Sequence, residues 1–271
     1  MNDPAPTVVR GPSIDPAALD PVARTALADE LFAVHRQIFD GVDADALRRY
    51  VLESEGADTR LQMFYDDQGS AAGYVAVHGF LQEVDGRSTL IARCEVGVAR
   101  RFRGQASFVP FVLVQAVRLW LRNLGRPKLV FACPVHPSSF WGLTRRSPCS
   151  WPRPGVDTPP AITETMHALA DRFGLVQTDA DRPGVRDVGW ITRMTDADRQ
   201  HWAAHQAPEV EFYRAENPHY EQGQGLLLLL PLDLRQMVVG GYNHVAERAR
   251  RWWSKRRQRS AAQTRPHGAE P

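Results

Sequence analysis

The sequence predicts an α/β fold: a mixed, mostly antiparallel central sheet flanked by helices, with a basic amphipathic helix at the C-terminal end. Three observations lead there. Residues 61–98 alternate with a period of two around Asp85-Gly86, a hairpin signal, because both central residues of a type I′ turn need φ > 0. On either side of this region apolar residues recur every three or four positions, the period of a helix. KLVFACPV (128–135) is a short continuous apolar run, as a strand covered on both faces requires.

In chain order, residues 1–17 are Pro-rich and read as disordered. A helix follows from Ala18 to about Asp40, with Leu27, Leu31, Val34 and Ile38 on one stripe, then a second over 43–54. Strands are predicted over Leu61–Tyr65, Gly73–Val84 and Ser88–Val98. A two-residue turn pairs Val84 with Arg87, which sets Val75 against Val96, Val77 against Cys94 and Leu81 against Leu90 on an apolar face. Tyr74, His78, Arg93 and Glu95 share the other face, and a one-residue slip would destroy this separation. A helix spans about Ser107–Leu124, with Pro110 in its first turn and Gly125 as its stop. The apolar strand at 128–135 precedes a short helix in HPSSFWGLTRR (136–146), and Ile162–Phe173 is helical. The region 147–210 is rich in insertions, and 175–210 shows no clear period. EVEFYRAE (209–216) and GLLLLLPL (225–232) read as two strands around a loop. One domain thus covers 18–232, and 233–271 is a tail.

With 271 residues, 43% hydrophobic and 24% charged, the chain has an ordinary globular balance, and a net charge of +2 demands no polyanionic partner. Nucleic acid is set aside. Cys94, Cys133 and Cys149 form no CxxC, so a reduced, cytoplasmic chain without structural zinc is expected. His201 and His205 have a metal-compatible spacing, but HWAAH lacks the glutamate of HExxH and has no third ligand, so no metal is assigned. The N-terminus has no signal pattern, and no apolar run approaches the ~20 residues of a spanning helix. From Leu234 to Arg259 an apolar stripe (Val238, Tyr242, Val245, Ala249, Trp252) is joined by clustered arginines. That segment suits either a solvated helix end or a peripheral anchor on an anionic membrane surface, at the inner face of the membrane.

The chemistry concentrates in VARRFRGQAS (98–107), a tight loop between a strand and a helix. Gly104 lets backbone N–H groups approach a ligand, and a helix start near Ser107 offers unpaired N–H groups and a positive dipole end. Arg101 and Arg103 add charge suited to phosphate oxygens. Neither GxxxxGK[ST] nor GxGxxG is present.

Arg101-Phe102-Arg103-Gly104-Gln105-Ala106 resembles the (Q/R)xxGx(G/A) pyrophosphate loop of the GNAT-type N-acyltransferase superfamily, and the order of elements over roughly 20–232 is similar to that family's. The resemblance implies acetyl-CoA or a longer acyl-CoA as co-substrate, no metal, and direct transfer of the acyl group to an amine-bearing small molecule or protein. It implies that Arg101, Arg103, Gly104, Gln105, Ala106 and Ser107 hold the cofactor. Backbone groups at Val96, Gly97 and Val98 would meet the thioester, with Gly97 allowing close approach. Glu95 is the candidate base and His78 a candidate relay. Family members often carry a tyrosine acid after the buried strand; here HPSSFWGLTRR has none. Ser138, with Ser139 and His136 beside it, either caps the short helix or protonates the leaving thiolate. Tyr74 reads as packing, and Trp141 as core or cofactor lining. Two other classes stay open: a GNAT-fold acyl-CoA sensor or membrane-associated scaffold without turnover, and a long-chain N-acyltransferase fed by an acyl carrier protein.

Overall fold

A computed structural model describes residues 8–105, 107–145, 147–235 and 238–239. The order is β1 (Val9–Ile14), α1 (Pro21–His35), β2 (Phe39–Asp40), α2 (Ala44–Val51), β3 (Ala57–Tyr65), β4 (Ala71–Val84), β5 (Arg87–Val98), α3 (Val109–Arg122), β6 (Lys128–Ala132), α4 (Pro137–Thr144) and α5 (Pro160–Arg172). Then come β7 (Val176–Gln177), β8 (Val185–Asp187), β9 (Ile191–Thr192), α6 (Asp196–Ala203), α7 (Pro208–Glu216), β10 (Gln224–Leu226) and β11 (Leu228–Pro231).

The central sheet runs β1-β3-β4-β5-β6-β11 and is antiparallel except for the β5–β6 pair, which is parallel. A smaller sheet, β10-β8-β7, continues from β11 through Leu227, and β2 pairs with β9. Side-chain alternation sorts the helices onto two faces. The α1 face meets β4 through Tyr74, whose hydroxyl contacts His35, and Phe173 at the end of α5 packs on Phe80 of the same face. On the opposite face Leu119 of α3 covers Gly79, while Phe140 of α4 and Tyr213 of α7 pack with Leu226, Leu228 and Leu230. The chain is therefore a mixed α/β fold with a mostly antiparallel central sheet between helical layers.

The β4–β5 hairpin has the expected register, with Val75 opposite Val96, Val77 opposite Cys94 and Val84 opposite Arg87. Asp85 and Gly86 take φ of +49° and +68°, as a two-residue turn of that kind demands. Three expectations are corrected. Residues 9–14, placed in a disordered leader, form the edge strand β1 against β3. The register shifts between Arg10 and Ser13, where Pro12 needs no ladder donor, and an Arg60–Asp15 ion pair at 2.8 Å ties the segment down. Residues 209–216, read as a strand, are the helix α7. Pro208 starts it, Glu209 and Glu211 complement its N-terminal dipole, and the fully buried side chains are Val210 and Tyr213, three apart. The helix assigned to Ala18–Asp40 is shorter, because Asp20 caps it by accepting from Ala23 N at 2.8 Å.

Residues 147–210 do more than decorate the fold: Trp190 packs on His35, Phe39 and Tyr50, carrying the chain after β8 back across the sheet to α1 and α2. Among the described residues no helix is long and apolar enough to cross a membrane. The basic segment Leu234–Arg259 lies outside the described residues apart from 234–235 and 238–239, and Ala106 lies outside them as well.

Candidate active site

The site begins where two strands part. β6 pairs with β5 only at Leu90, Ile91 and Ala92. Leu90 N donates to Pro127 O on the β6 side, while Ala99 N donates to Ala72 O on the β4 side. Strand amides alternate direction and β5 carries no bulge, so the backbone groups of Cys94, Val96 and Val98 face away from β4, along an edge no described strand occupies. Gly97 points its N–H the other way, toward Tyr74 of β4. Its missing side chain makes room within the sheet: a Cβ there would fall 2.6 Å from Tyr74 Cε1 and 3.0 Å from Ile38 Cδ1.

That edge runs into the arginine loop. Arg100–Phe102 form a single 3-10 turn, anchored by the buried Phe102 ring. Gly104 has φ +82° with open space around the position a Cβ would take, so glycine is required by backbone conformation alone. No side chain caps the N-terminus of α3. The arginines are not idle charges: Arg101 lies 3.1 Å from Asp66 and over the Phe102 ring, while Arg100 and Arg103 lie 3.4 and 3.9 Å from Asp198. All three guanidiniums are well exposed, so these pairs are weak and an arriving polyanion can displace them. Ser107 and Gln105 flank the same turn.

On the α1 face of β5 lies the main surprise. The polar face of the hairpin is buried, not solvated: His78, Arg93 and Glu95 are 2%, 7% and 8% exposed. Glu95 Oε1 accepts from Tyr50 OH at 2.9 Å, and the Tyr50 hydroxyl accepts from Arg93 Nη2. His78 Nε2 stands 2.7 Å from Glu95 Oε2 in an off-line contact, and its Nδ1 meets Thr59 Oγ1 at 2.8 Å. Burial pushes the Glu95 carboxyl up, but the charge and contact of His78, then Arg93 and the Tyr50 hydroxyl, together outweigh it and hold the carboxyl below its usual range. Burial, reinforced by the charge of Glu95, drives the Tyr50 hydroxyl far up, so it stays a donor. Tyr74, read as packing, is buried, and its hydroxyl lies 2.8 Å from His35 Nδ1 in a hydrogen bond, with burial holding the imidazole down to about 4 and therefore neutral.

Ser138 does not cap α4. The cap is His136, whose Nδ1 accepts from Ser138 N at 3.2 Å and lies 2.7 Å from Ser138 Oγ. Burial, followed by Arg103, brings His136 down to about 4, so the ring is neutral; with Nδ1 accepting from Ser138 N, the Ser138 hydroxyl is the donor of the second contact. Ser139 is exposed. Trp141 is half-buried, under the Arg145 guanidinium at 3.7 Å and beside His205 at 4.9 Å. His201 and His205 pack ring to ring, and no group of three ligating side chains suited to a metal occurs among the described residues.

Sequence reasoning had named Glu95, His78 and Arg93 but missed Tyr50, Thr59 and Trp190. Tyr50 had no signal, since it sits in α2 one turn from the core residue Leu47. Thr59 could have been found by extending the β3 ladder, which pairs it with His78.

No protein-family model matches the chain, and no curated protein matches it. Among solved structures, a GNAT family N-acetyltransferase (YhbS) from Escherichia coli in complex with CoA aligns at 16% identity over 88% of each chain, with a TM-score of 0.35. A GCN5-related N-acetyltransferase from Kribbella flavida aligns at 12% identity over 83% of this chain and 98% of its own, with a TM-score of 0.31. A ribosomal-protein-alanine N-acetyltransferase from Brucella melitensis biovar Abortus 2308 aligns at 16% identity over 49% of this chain and 85% of its own, with a TM-score of 0.30. Likeness of this order says nothing of activity, which has to be reasoned from the chain's own geometry.

Proposed function

We propose that the protein is an acyl-CoA-dependent N-acyltransferase of the cytoplasm, with acetyl-CoA or a longer acyl-CoA as donor and an amine-bearing small molecule or protein as acceptor. The observation that supports this best is the free edge of β5 at Cys94, Val96 and Val98, running directly into the Arg100–Gln105 turn and the uncapped start of α3. A thioester laid along that edge would present its carbonyl oxygen to the N–H groups of Val96 and Val98 while the pyrophosphate rests on the loop. The amine nitrogen attacks the carbonyl carbon, the C–N bond forms, and the C–S bond breaks. The amine proton passes through water to Glu95, and the departing thiolate takes a proton from solvent. Ser138, with its proton turned toward His136, is poorly placed to be the acid.

Thiol release from acetyl-CoA and a long-chain acyl-CoA, measured over an amine panel, tests the reading. Gly104→Glu is expected to weaken CoA binding by about tenfold or more, because it strains a positive φ and sets a carboxylate against the phosphates. Equal CoA affinity in wild type and variant removes the loop from the reading. A carrier-protein donor is tested in the same assay. Turnover-free CoA binding that Glu95→Gln leaves unchanged is the outcome that would favour a sensor.

A further inference from the structure

Among the described residues the most anomalous charge is Arg186. It is 2% exposed, yet no described carboxylate pairs with it. Nη1 curls back onto the carbonyls of Pro183 and Val185, and Nε has no hydrogen-bond partner. Burying a guanidinium without a counter-charge costs several kcal/mol unless something repays it.

Its position shows what could. Val185 packs with Phe140 and Tyr213 on the α4–α7 face, so Arg186 points to the opposite face, the one that carries Glu95. Gly225 stands opposite Arg186, and a Cβ on Gly225 would fall 2.7 Å from Cys133 Sγ. Two residues before Cys133, Phe131 lies with Phe173 against the Arg93 guanidinium, at 5.9 and 4.3 Å. Arg93 and Arg186 thus both lie close enough to Cys133 to act on its thiol. Burial pushes that thiol up to about 12 against the pull of both guanidiniums, so it adds no negative charge. Two cations therefore share this lane, and the Glu95 carboxylate that Arg93 acts on is already engaged by Tyr50 and His78.

We propose that Arg186, with Arg93, binds a carboxylate of the acceptor, so that the substrate is an amine that also carries an acid group. The proposal rests on the N-acyltransferase reading. The CoA phosphates are assigned to the loop before α3, on the other face, which leaves the acceptor as the source of an anion beside Glu95. A carboxylate matches the planar fork of a guanidinium by two parallel hydrogen bonds. A purely structural arginine, stitching the 183–185 turn, is the competing explanation, and it predicts the opposite stability change.

The test uses the full chain and Arg186→Met. In sodium chloride the variant is expected to melt about 2–4 °C above the wild type, since an unpaired buried charge is replaced by an apolar side chain. Sodium acetate at equal ionic strength should raise the melting temperature of the wild type and leave the variant unmoved. In thiol release, α-amino acids should exceed their own carboxamides in kcat/KM by about tenfold or more, a ratio that falls to near one in the variant. A variant that melts no higher than the wild type, a wild type indifferent to acetate, or a transferase that treats acids and amides alike overturns the proposal. If acetate acts as expected but no amine is acylated, the transferase reading falls and the anion site stands.

Discussion

Glu95→Gln is expected to lower kcat for amine acylation by about 10²–10⁴-fold while CoA binding is retained. The carboxylate lies on β5 one residue from Val96, whose amide faces the free edge, so a proton leaving an amine at that edge has a buried carboxylate on the adjoining residue to go to. The pH dependence distinguishes a base from a bystander. Burial alone would raise the Glu95 pKa, and His78 is the largest of the influences that reverse it. Removing His78 therefore lets the burial effect regain ground. His78→Gln should move the acid limb of kcat/KM to higher pH, whereas Thr59→Ser, which keeps the hydroxyl on His78 Nδ1, should leave it in place. Stability follows the same linkage. A carboxyl depressed in the folded state contributes stability above its unfolded pKa of about 4.3, and that contribution is lost as pH falls through the lower, folded value. The melting temperature of the wild type should thus fall more steeply below about pH 4 than that of Glu95→Gln. Parallel curves would mean that folding does not depress the Glu95 carboxyl.

The hairpin was legible because its information is local: a turn that only residues tolerant of positive φ can make, and an alternation that a slip would ruin. The tight turn between β5 and α3 was legible for the same reason, as a short contiguous stretch ending on a glycine with positive φ. What the sequence concealed depends on partners far along the chain. A face with Tyr74, His78, Arg93 and Glu95 looks solvated when read along its own strands. It is buried because α1, α2 and α5 all cover it, and Trp190 is brought back across 95 residues of chain from Glu95. Residues 209–216 were misread because their first half, Glu209, Val210, Glu211 and Phe212, alternates polar with apolar as a strand would. The burial of Val210 and Tyr213, three apart, shows which period the core selected, and the Tyr213 hydroxyl donates to Pro134 O at 2.9 Å. Gly97 was singled out for close approach to a ligand; the Tyr74 ring, far away in sequence, is a further reason why no side chain fits there.

Neighbouring substitutions on β5 should separate the ladder from the free edge. Gly97→Val is expected to destabilise the fold by about 1–3 kcal/mol or more, since its Cβ would overlap the buried Tyr74 ring and press on Ile38, neither of which has room to retreat. The Val96 amide, by contrast, takes no part in the β4 ladder. Val96→Pro deletes that N–H, and the preceding residue, Glu95, is already in the extended conformation that a following proline requires. It should therefore keep the far-UV circular dichroism of the wild type and most of its thermal stability, yet lose about 10²–10³ in kcat if the amide meets the oxyanion. Retained structure with full activity would remove Val96 from the site and leave Val98 as the donor to test in the same way. Loss of structure in Val96→Pro, on the scale seen for Gly97→Val, would show that the edge beyond Ala92 is paired after all, and the free edge on which a thioester could lie would not exist.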